Sequence, residues 1–510
     1  MGLLGDGGRL IRAGWVLARY DALLPAEYQD KAPPWMRWAG RASRLLARRD
    51  RAENPGERFA RALERLGPAY VKLGQFLSTR SDILEARFAR GLARLQDQAK
   101  PFSDAVARRA VADALGRPLE EAFATFGPPA GAASVAQVHK AVTPLGETLA
   151  VKILRPGIKR QIAKDMAAFH RAARWVAAAF PPARRLEPVA FVATLERSLA
   201  LECDLRLEAA ACSELAEHAR DLDGFETPSV DWSRTAARVL ATEWINGAKL
   251  TDEAALEAQG VDRPSLAITV VRAFLSTALD HGVFHADMHP GNLFARGRST
   301  LVAVDFGIVG RIGPRERRYL AEILFGFLRR DYRRIAEVHF EAGYVPSHFE
   351  VDDFAQALRA VGEPIFGKTA DQVAMSRLLT QLFDVTALFD MRMRPELVLL
   401  QKTMVQVEGV ARRLDPQGDI WSAARPVVER WIARELGPEG VISQAASDGR
   451  ELLIAAQRLP ATIHDLATAA ERLAHAPAQT RERAQPRLWL AMGLGGGLAL
   501  LGVGLGWAIG

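Results

Sequence analysis

Cysteine is nearly missing from the 510-residue chain, which holds only Cys203 and Cys212. Two thiols make neither a disulfide framework nor a four-thiolate metal site, and they fit a reducing compartment. There is no GxGxxG fingerprint and no histidine–carboxylate triad, so neither a flavin nor a mononuclear iron site is in view. No repeat with a period of about 20 to 50 residues stands out, so a repeat array is not expected. No secretory signal is visible either, so none is expected: Asp6 falls among the first residues and the apolar run after Arg12 is broken by Arg19.

What is present describes a packed chain. Hydrophobic residues make up 49% and charged residues 25%, which excludes a disordered or collagen-like polymer, and the length allows about 3 to 4 domains. The net charge of +7 is uneven: ten Lys/Arg face five Asp/Glu through Arg51, so +5 of the excess lies in the first tenth of the chain. Such a segment favours an anionic neighbour, phospholipid or nucleic acid. Trp15, Trp35 and Trp38 interleave there with Arg12, Arg37, Arg41 and Arg44, a mixture suited to a membrane interface; a solvated basic helix is the plainer alternative. At the other end, Leu488 to Gly510 is a run of 23 residues without a charge, long enough at ~1.5 Å per residue to cross a ~30 Å hydrocarbon layer. Gly493 and Gly497, then Gly502 and Gly506, form two GxxxG spacings, and so glycine-rich a helix suits lipid better than water. Arg481, Arg483 and Arg487 precede the run and orient the body of the chain toward the cytoplasm. One C-terminal transmembrane helix is the expectation.

Between the ends, the basic segment (1–56) closes on Asn54-Pro55-Gly56 and gives way to helical periodicity over 57–115. A sheet-bearing stretch (116–247) follows. In it, Val135 to Val142 and Glu147 to Leu154 flank a Pro144-Leu145-Gly146 turn and read as a hairpin. A long helical stretch from Pro188 to Ala219 and a strand pair near Thr227 to Val230 and Arg238 to Trp244 come next. Residues 248–476 read as mainly helical, with two short strands, Leu293 to Ala295 and Leu301 to Val304.

Four short features follow one another in an order that carries more information than any of them alone. Pro129 to His139, PAGAASVAQVH, reads as a small-residue turn leading into a strand, where backbone N–H groups approach polyphosphate closely. Its candidate nucleotide-binding positions are Pro129, Gly131, Ala132, Ala133, Ser134, Val135 and Gln137. Lys152 lies on a strand between apolar Val151 and Ile153, where an ammonium needs an anion. ATP phosphates and a helix glutamate meet that need; Glu208 is the first choice and Glu202 the competitor, and spacing does not separate them. In His285 to Asn292, HADMHPGN, Asp287 is the candidate catalytic residue, orienting or deprotonating an attacking hydroxyl. Asn292, five residues on, offers an amide oxygen to magnesium. Asp305-Phe306-Gly307 completes the series, its carboxylate at a strand end to hold the metal that bridges the ATP phosphates. Thr242 to Gly247, TEWING, ends a strand and offers backbone groups around Glu243 to adenine, while Trp244 serves equally as a core residue. His289 has no second histidine at ligand spacing and suits loop packing better than metal binding.

In that order, with a hairpin and strands where required, these features define an α+β, protein-kinase-like two-lobe fold with a helical N-terminal extension. Two departures stand out. Ala286 occupies the place of the arginine before the catalytic aspartate, and Gly313-Pro314 follows Gly307 within a few residues, leaving no room for a peptide platform.

On these residues the sequence resembles the UbiB family of atypical kinase-like ATPases, bacterial relatives of the mitochondrial coenzyme Q kinases, from about Leu66 to Leu400. The most specific stretch is Leu66 to Phe102, where LGPAYVKLGQFLSTRSDIL and LQDQAKPF are similar to that family's N-terminal extension. Lys72, Gly74 and Gln75 match its KxGQ motif, and Glu202 and Asp204 its ExD motif. The resemblance implies that the extension packs over the nucleotide site, that Lys72 and Gln75 approach the phosphates, and that protein substrates are kept out. The small-residue turn corresponds to the family's alanine-rich loop, with Gly131 at the first of the usual three alanines; glycine there is expected to loosen the turn.

By the same resemblance, ATP and Mg2+ are the cofactors. Membrane lipids, prenylated quinone intermediates and the ubiquinone biosynthetic enzyme complex are the partners, and nucleic acid is not. The location implied is a bacterial inner membrane with the catalytic body cytoplasmic. Two rivals stay open: a small-molecule phosphotransferase of the aminoglycoside or choline kinase type, and a non-catalytic nucleotide-sensing scaffold. Lys72 to Gln75 speaks against the first, and the joint presence of Lys152, Asp287, Asn292 and Asp305 against the second.

Overall fold

The computed structural model describes residues 3–22, 55–78, 91–92, 95, 100–179, 187–364, 385, 388–391 and 395–437. They form two compact units, one from the residues up to Ser213 with Pro228–Ile245, the other from Glu214–Thr227 and the residues from Asn246 onward. The apolar run Leu488 to Gly510 and the arginines before it lie outside the described residues, as do Trp35, Trp38, Arg37, Arg41 and Arg44. Among the described residues, no helix is long and apolar enough to cross a membrane.

The first unit opens with helices α1 (Leu3–Arg19), α2 (Pro55–Leu66), α3 (Pro68–Ser78), α4 (Asp104–Leu115) and α5 (Leu119–Ala122). Strands β1 (Thr125–Ala132), β2 (Ala136–Val142) and β3 (Thr148–Leu154) follow. After them come helices α6 (Ile158–Ala179), α7 (Pro188–Glu202) and α8 (Leu205–Ala219), whose last turns belong to the second unit. The two-residue β4 (Phe225–Glu226) also belongs to that unit, and β5 (Val239–Glu243) completes the antiparallel sheet of the first, in the order β1-β2-β3-β5. The expected hairpin is β2–β3, turned at Gly146, whose φ of 89° suits a residue without a Cβ. Along β3, residues alternate between faces. Val151 and Ile153 enter one core with Val239, Ala241 and Val111, while Leu154 enters another with the helices of the extension.

Three features differ from expectation. Proline 129, Gly131 and Ala132 lie within β1, which pairs with β2 past a bulge, so the true turn is only Ala133 to Val135. The Thr227 to Val230 strand does not form: Val230 makes a single bridge to Thr242, and Pro228 has no N–H to extend it. Helix α6 was not anticipated, although Ile158, Ile162, Met166, Phe169, Ala173 and Val176 trace one apolar stripe into the core.

The second unit carries β6 (Ala248–Lys249), α9 (Glu253–Ala258), α10 (Arg263–Ser276), β7 (Val283–His285), β8 (Leu293–Arg296), β9 (Thr300–Ala303) and β10 (Val309–Arg311). Helices α11 (Pro314–Arg329), α12 (Tyr332–Glu341), α13 (Val351–Gly362), α14 (Pro395–Leu414) and α15 (Ile420–Glu435) follow. Strands β4, β9, β8 and β6 form one small sheet, and β7 pairs antiparallel with β10. This second pairing, His285 opposite Val309, ties the HxD loop to the residues after Asp305-Phe306-Gly307.

Candidate active site

In the first unit the question of the lysine's partner has an answer. Lys152 Nζ donates to Glu208 Oε1 at 2.7 Å, both side chains largely shielded from solvent. Glu208 stands in the first turn of α8, where the positive end of the helix favours an anion. Glu202, at the end of α7, is taken by Lys72, which is 9% exposed. The two lysine–glutamate pairs are therefore distinct. Asp204, in the link between α7 and α8, accepts two bonds from the Arg206 guanidinium, at 2.9 and 2.6 Å, which hold its carboxyl below the usual range. Gln75 lies half-buried on α3, one turn from Lys72. Gly74 between them fits because a Cβ there would meet Leu95 Cδ1 at 2.4 Å and Leu63 Cδ1 at 2.6 Å.

The turn Ala133 to Val135 is braced by a residue that motif reading passes over. Arg155 donates to the Ala133 carbonyl through Nε and Nη2, at 3.0 and 2.9 Å, and its own N–H bonds the Val135 carbonyl at 2.8 Å. The guanidinium also reaches the Lys100 carbonyl and lies over the Phe102 ring. Its position directly after the lysine strand and before Pro156-Gly157 was the available signal. Gln137 has a different task from the one its motif suggested. It is fully enclosed, and its amide clasps the Phe102 backbone: Oε1 accepts from the Phe102 N–H at 2.9 Å, and Nε2 approaches His139 Nε2 at 2.7 Å. A side chain so enclosed does not reach a ligand directly. At the end of β5, the N–H groups of Glu243 and Trp244, which the sequence offered to adenine, already bond the Ser229 and Thr148 carbonyls, at 2.8 and 3.0 Å.

In the second unit, His285 organises the loop. Burial pushes its imidazole below the usual range, so the ring is neutral, and its two nitrogens divide their roles. Nε2–H donates to the Val304 carbonyl at 3.0 Å, and Nδ1 accepts the Asp287 N–H at 3.1 Å. One ring thus fixes both the loop backbone at Asp287 and the strand that leads to Asp305. Asn292 Nδ2 donates to the Asp287 carbonyl at 3.1 Å, turning its Oδ1 toward other partners, while the Val304 N–H bonds the Asn292 carbonyl at 2.9 Å. Asp305 is exposed and has a φ of 64°, a conformation unusual for a residue with a side chain and common at sites held for function. His289 Nδ1 accepts the Gly291 N–H at 3.0 Å and so packs the loop.

Asp287 is also held from far along the chain. Gln406 Nε2 donates to its Oδ1 at 3.1 Å, and Lys402 Nζ stands 3.7 Å from the same oxygen, one turn earlier on α14. No local pattern links residues 119 apart, so sequence reading had no access to this clamp.

A half-buried lysine–glutamate pair, an aspartate and asparagine in a short loop, and an aspartate at a strand end define a kinase-like protein. A family model described as the ABC1 atypical kinase-like domain matches residues 94–339, and one described as the UbiB helical domain matches residues 358–419. A probable protein kinase UbiB from Xanthomonas euvesicatoria pv. vesicatoria (strain 85-10) is 39% identical over 474 residues, covering 89% of this chain and 84% of that one. Another so named, from Marinobacter nauticus, is 38% identical over 464 residues, covering 90% and 84%. The chain belongs to the UbiB family of atypical kinase-like proteins.

Proposed function

We propose that the protein is a Mg-ATP hydrolase or atypical kinase that supports ubiquinone biosynthesis, acting on prenylated lipid intermediates or on the enzymes gathered around them. Residues 488–510 anchor it in the bacterial inner membrane. The observation that carries this reading is Lys152, a largely shielded ammonium secured by Glu208 on the strand face. A cation kept there at the expense of desolvation suits the phosphates of ATP.

The residues present fit magnesium. Asn292 has only Oδ1 left for a metal, and Asp305 offers an exposed carboxylate, both hard oxygen donors. Among the described residues no group of three or more His, Cys, Asp or Glu forms a metal cage. Mg2+ ordinarily takes one or two protein oxygens and fills its remaining positions with water and phosphate. When bound, the ion neutralises charge on the phosphates. Asp287 orients the attacking hydroxyl or water, and Gln406 and Lys402 keep its carboxylate in place.

Hydrolysis of MgATP by the purified full-length protein in liposomes tests the reading. Asp305→Asn is expected to abolish turnover while the protein still reaches the membrane fraction and, in cells that depend on it, to lower ubiquinone. Undiminished turnover and quinone levels would overturn it.

A further inference from the structure

Away from these residues, the first unit holds a cavity of about 370 Å³ lined by Arg9, Arg12, Tyr70, Arg160, Lys164 and Asp165, among others. Arg9 pairs with Asp165, which is 4% exposed, so those two charges cancel. Arg12, Arg160 and Lys164 make no ion pair among the described residues, which leaves three positive charges around one concavity.

Nothing in helix α6 itself explains that arrangement. Gly157, Arg160, Gln161 and Lys164 recur at helical spacing and all line the cavity. Arg160 and Lys164, four residues apart, are like charges on one face, which destabilises a helix. The first turn of this 22-residue helix also holds Lys159 and Arg160 and no acidic residue. Cations at the positive end of a helix are a second unfavourable placement. Both costs vanish when an anion occupies the cavity, since the helix N-terminus and the cationic side chains then act in concert.

We infer that this cavity binds a phosphate group. The chemistry is shared by a soluble phosphate and by the headgroup of an anionic lipid. On α1, Ile11 is 54% and Trp15 52% exposed beside Arg12, with Arg19 over the Trp15 ring, the pattern of a helix at a bilayer surface. The site uses no residue of the proposed nucleotide machinery and stands independently of that reading.

Thermal unfolding of the full-length protein in neutral detergent, titrated with inorganic phosphate against sodium chloride of equal ionic strength, tests it. Wild type is expected to gain midpoint with phosphate beyond the chloride response. Arg160→Glu/Lys164→Glu is expected to lose that gain. The gain survives in Lys152→Met, which separates this cavity from the proposed nucleotide residues. A second arm replaces detergent by phosphatidylcholine vesicles with or without phosphatidylglycerol. Stabilisation by phosphatidylglycerol that the double variant loses assigns the site to a lipid headgroup; a response to inorganic phosphate alone assigns it to a soluble phosphate. Equal responses of wild type and double variant to both probes, or a wild type that answers neither to phosphate beyond chloride nor to phosphatidylglycerol, would overturn the inference.

Discussion

Glycine 131 stands where the family's loop usually has alanine, and its backbone does not require the exchange. Its φ is not positive, and a Cβ built there meets nothing within 4 Å. It belongs to β1, opposite Val138, rather than to the turn, so the expected loosening of the turn has no structural basis. The turn is instead secured by Arg155 on the Ala133 carbonyl. Gly131→Ala is therefore expected to stabilise the protein by about 0.4–1 kcal/mol, by restricting the unfolded chain, and to leave nucleotide affinity unchanged. Denaturant unfolding and calorimetric titration with MgATP check this. A loss of stability, or a change in affinity of tenfold or so, would show that the strand needs glycine after all.

At the scale of elements, helix α3 is fastened to α7 by Lys72 and Glu202, whose side chains are 11% and 17% exposed. Lys72→Met strands the glutamate and is expected to cost roughly 3 kcal/mol, near the lower end for breaking a shielded pair. Lys72→Met/Glu202→Leu should recover much of that loss, because two apolar side chains replace two compensated charges. Urea unfolding of the four species closes the cycle. Additive effects of the single changes would mean that the pair contributes no coupling. The same elements show what the sequence could reveal. The β2–β3 hairpin, the lysine strand and the order of the short motifs were legible because each depends on residues close in the chain. Three things were not: the choice between Glu208 and Glu202, the role of Gln137 in holding Phe102, and the grip of Lys402 and Gln406 on Asp287. Each is decided by packing between distant segments. Helix α6 is a different case, since its apolar stripe was present in the sequence and was obscured by the lysines and arginines between the stripe positions.

Across the whole molecule, burial shifts the second unit's histidines and the first unit's Asp165 in opposite directions, which gives them opposite pH dependences. In the second unit, burial lowers the pKa of His285, His339 and His281, and the His218 ring stacked on His281 adds to the last. In the unfolded chain these rings take up protons as pH falls through about 6.5, whereas the folded unit resists them. Their contribution to stability is thus complete above that pH and is lost as pH falls toward the folded values. Glu408, raised by burial, opposes the trend within the same unit but titrates from a lower starting value. In the first unit Asp165 is raised, chiefly by burial, against the pull of Arg9. Its stabilising contribution is present at low pH and lost as pH rises through its folded value, the reverse dependence. Lowering pH from about 7.5 to 5.5 should therefore weaken the second unit and leave the first unchanged or slightly firmer. Hydrogen exchange, corrected for its intrinsic pH dependence, should show amides around Phe284 and Val338 losing protection while those around Val151 keep theirs. His285→Gln retains a donor for the Val304 carbonyl without the titration, and it should flatten the response around β7. Uniform loss of protection across both units, or an unchanged pH response in that variant, would contradict the assignment of the acid sensitivity to these histidines.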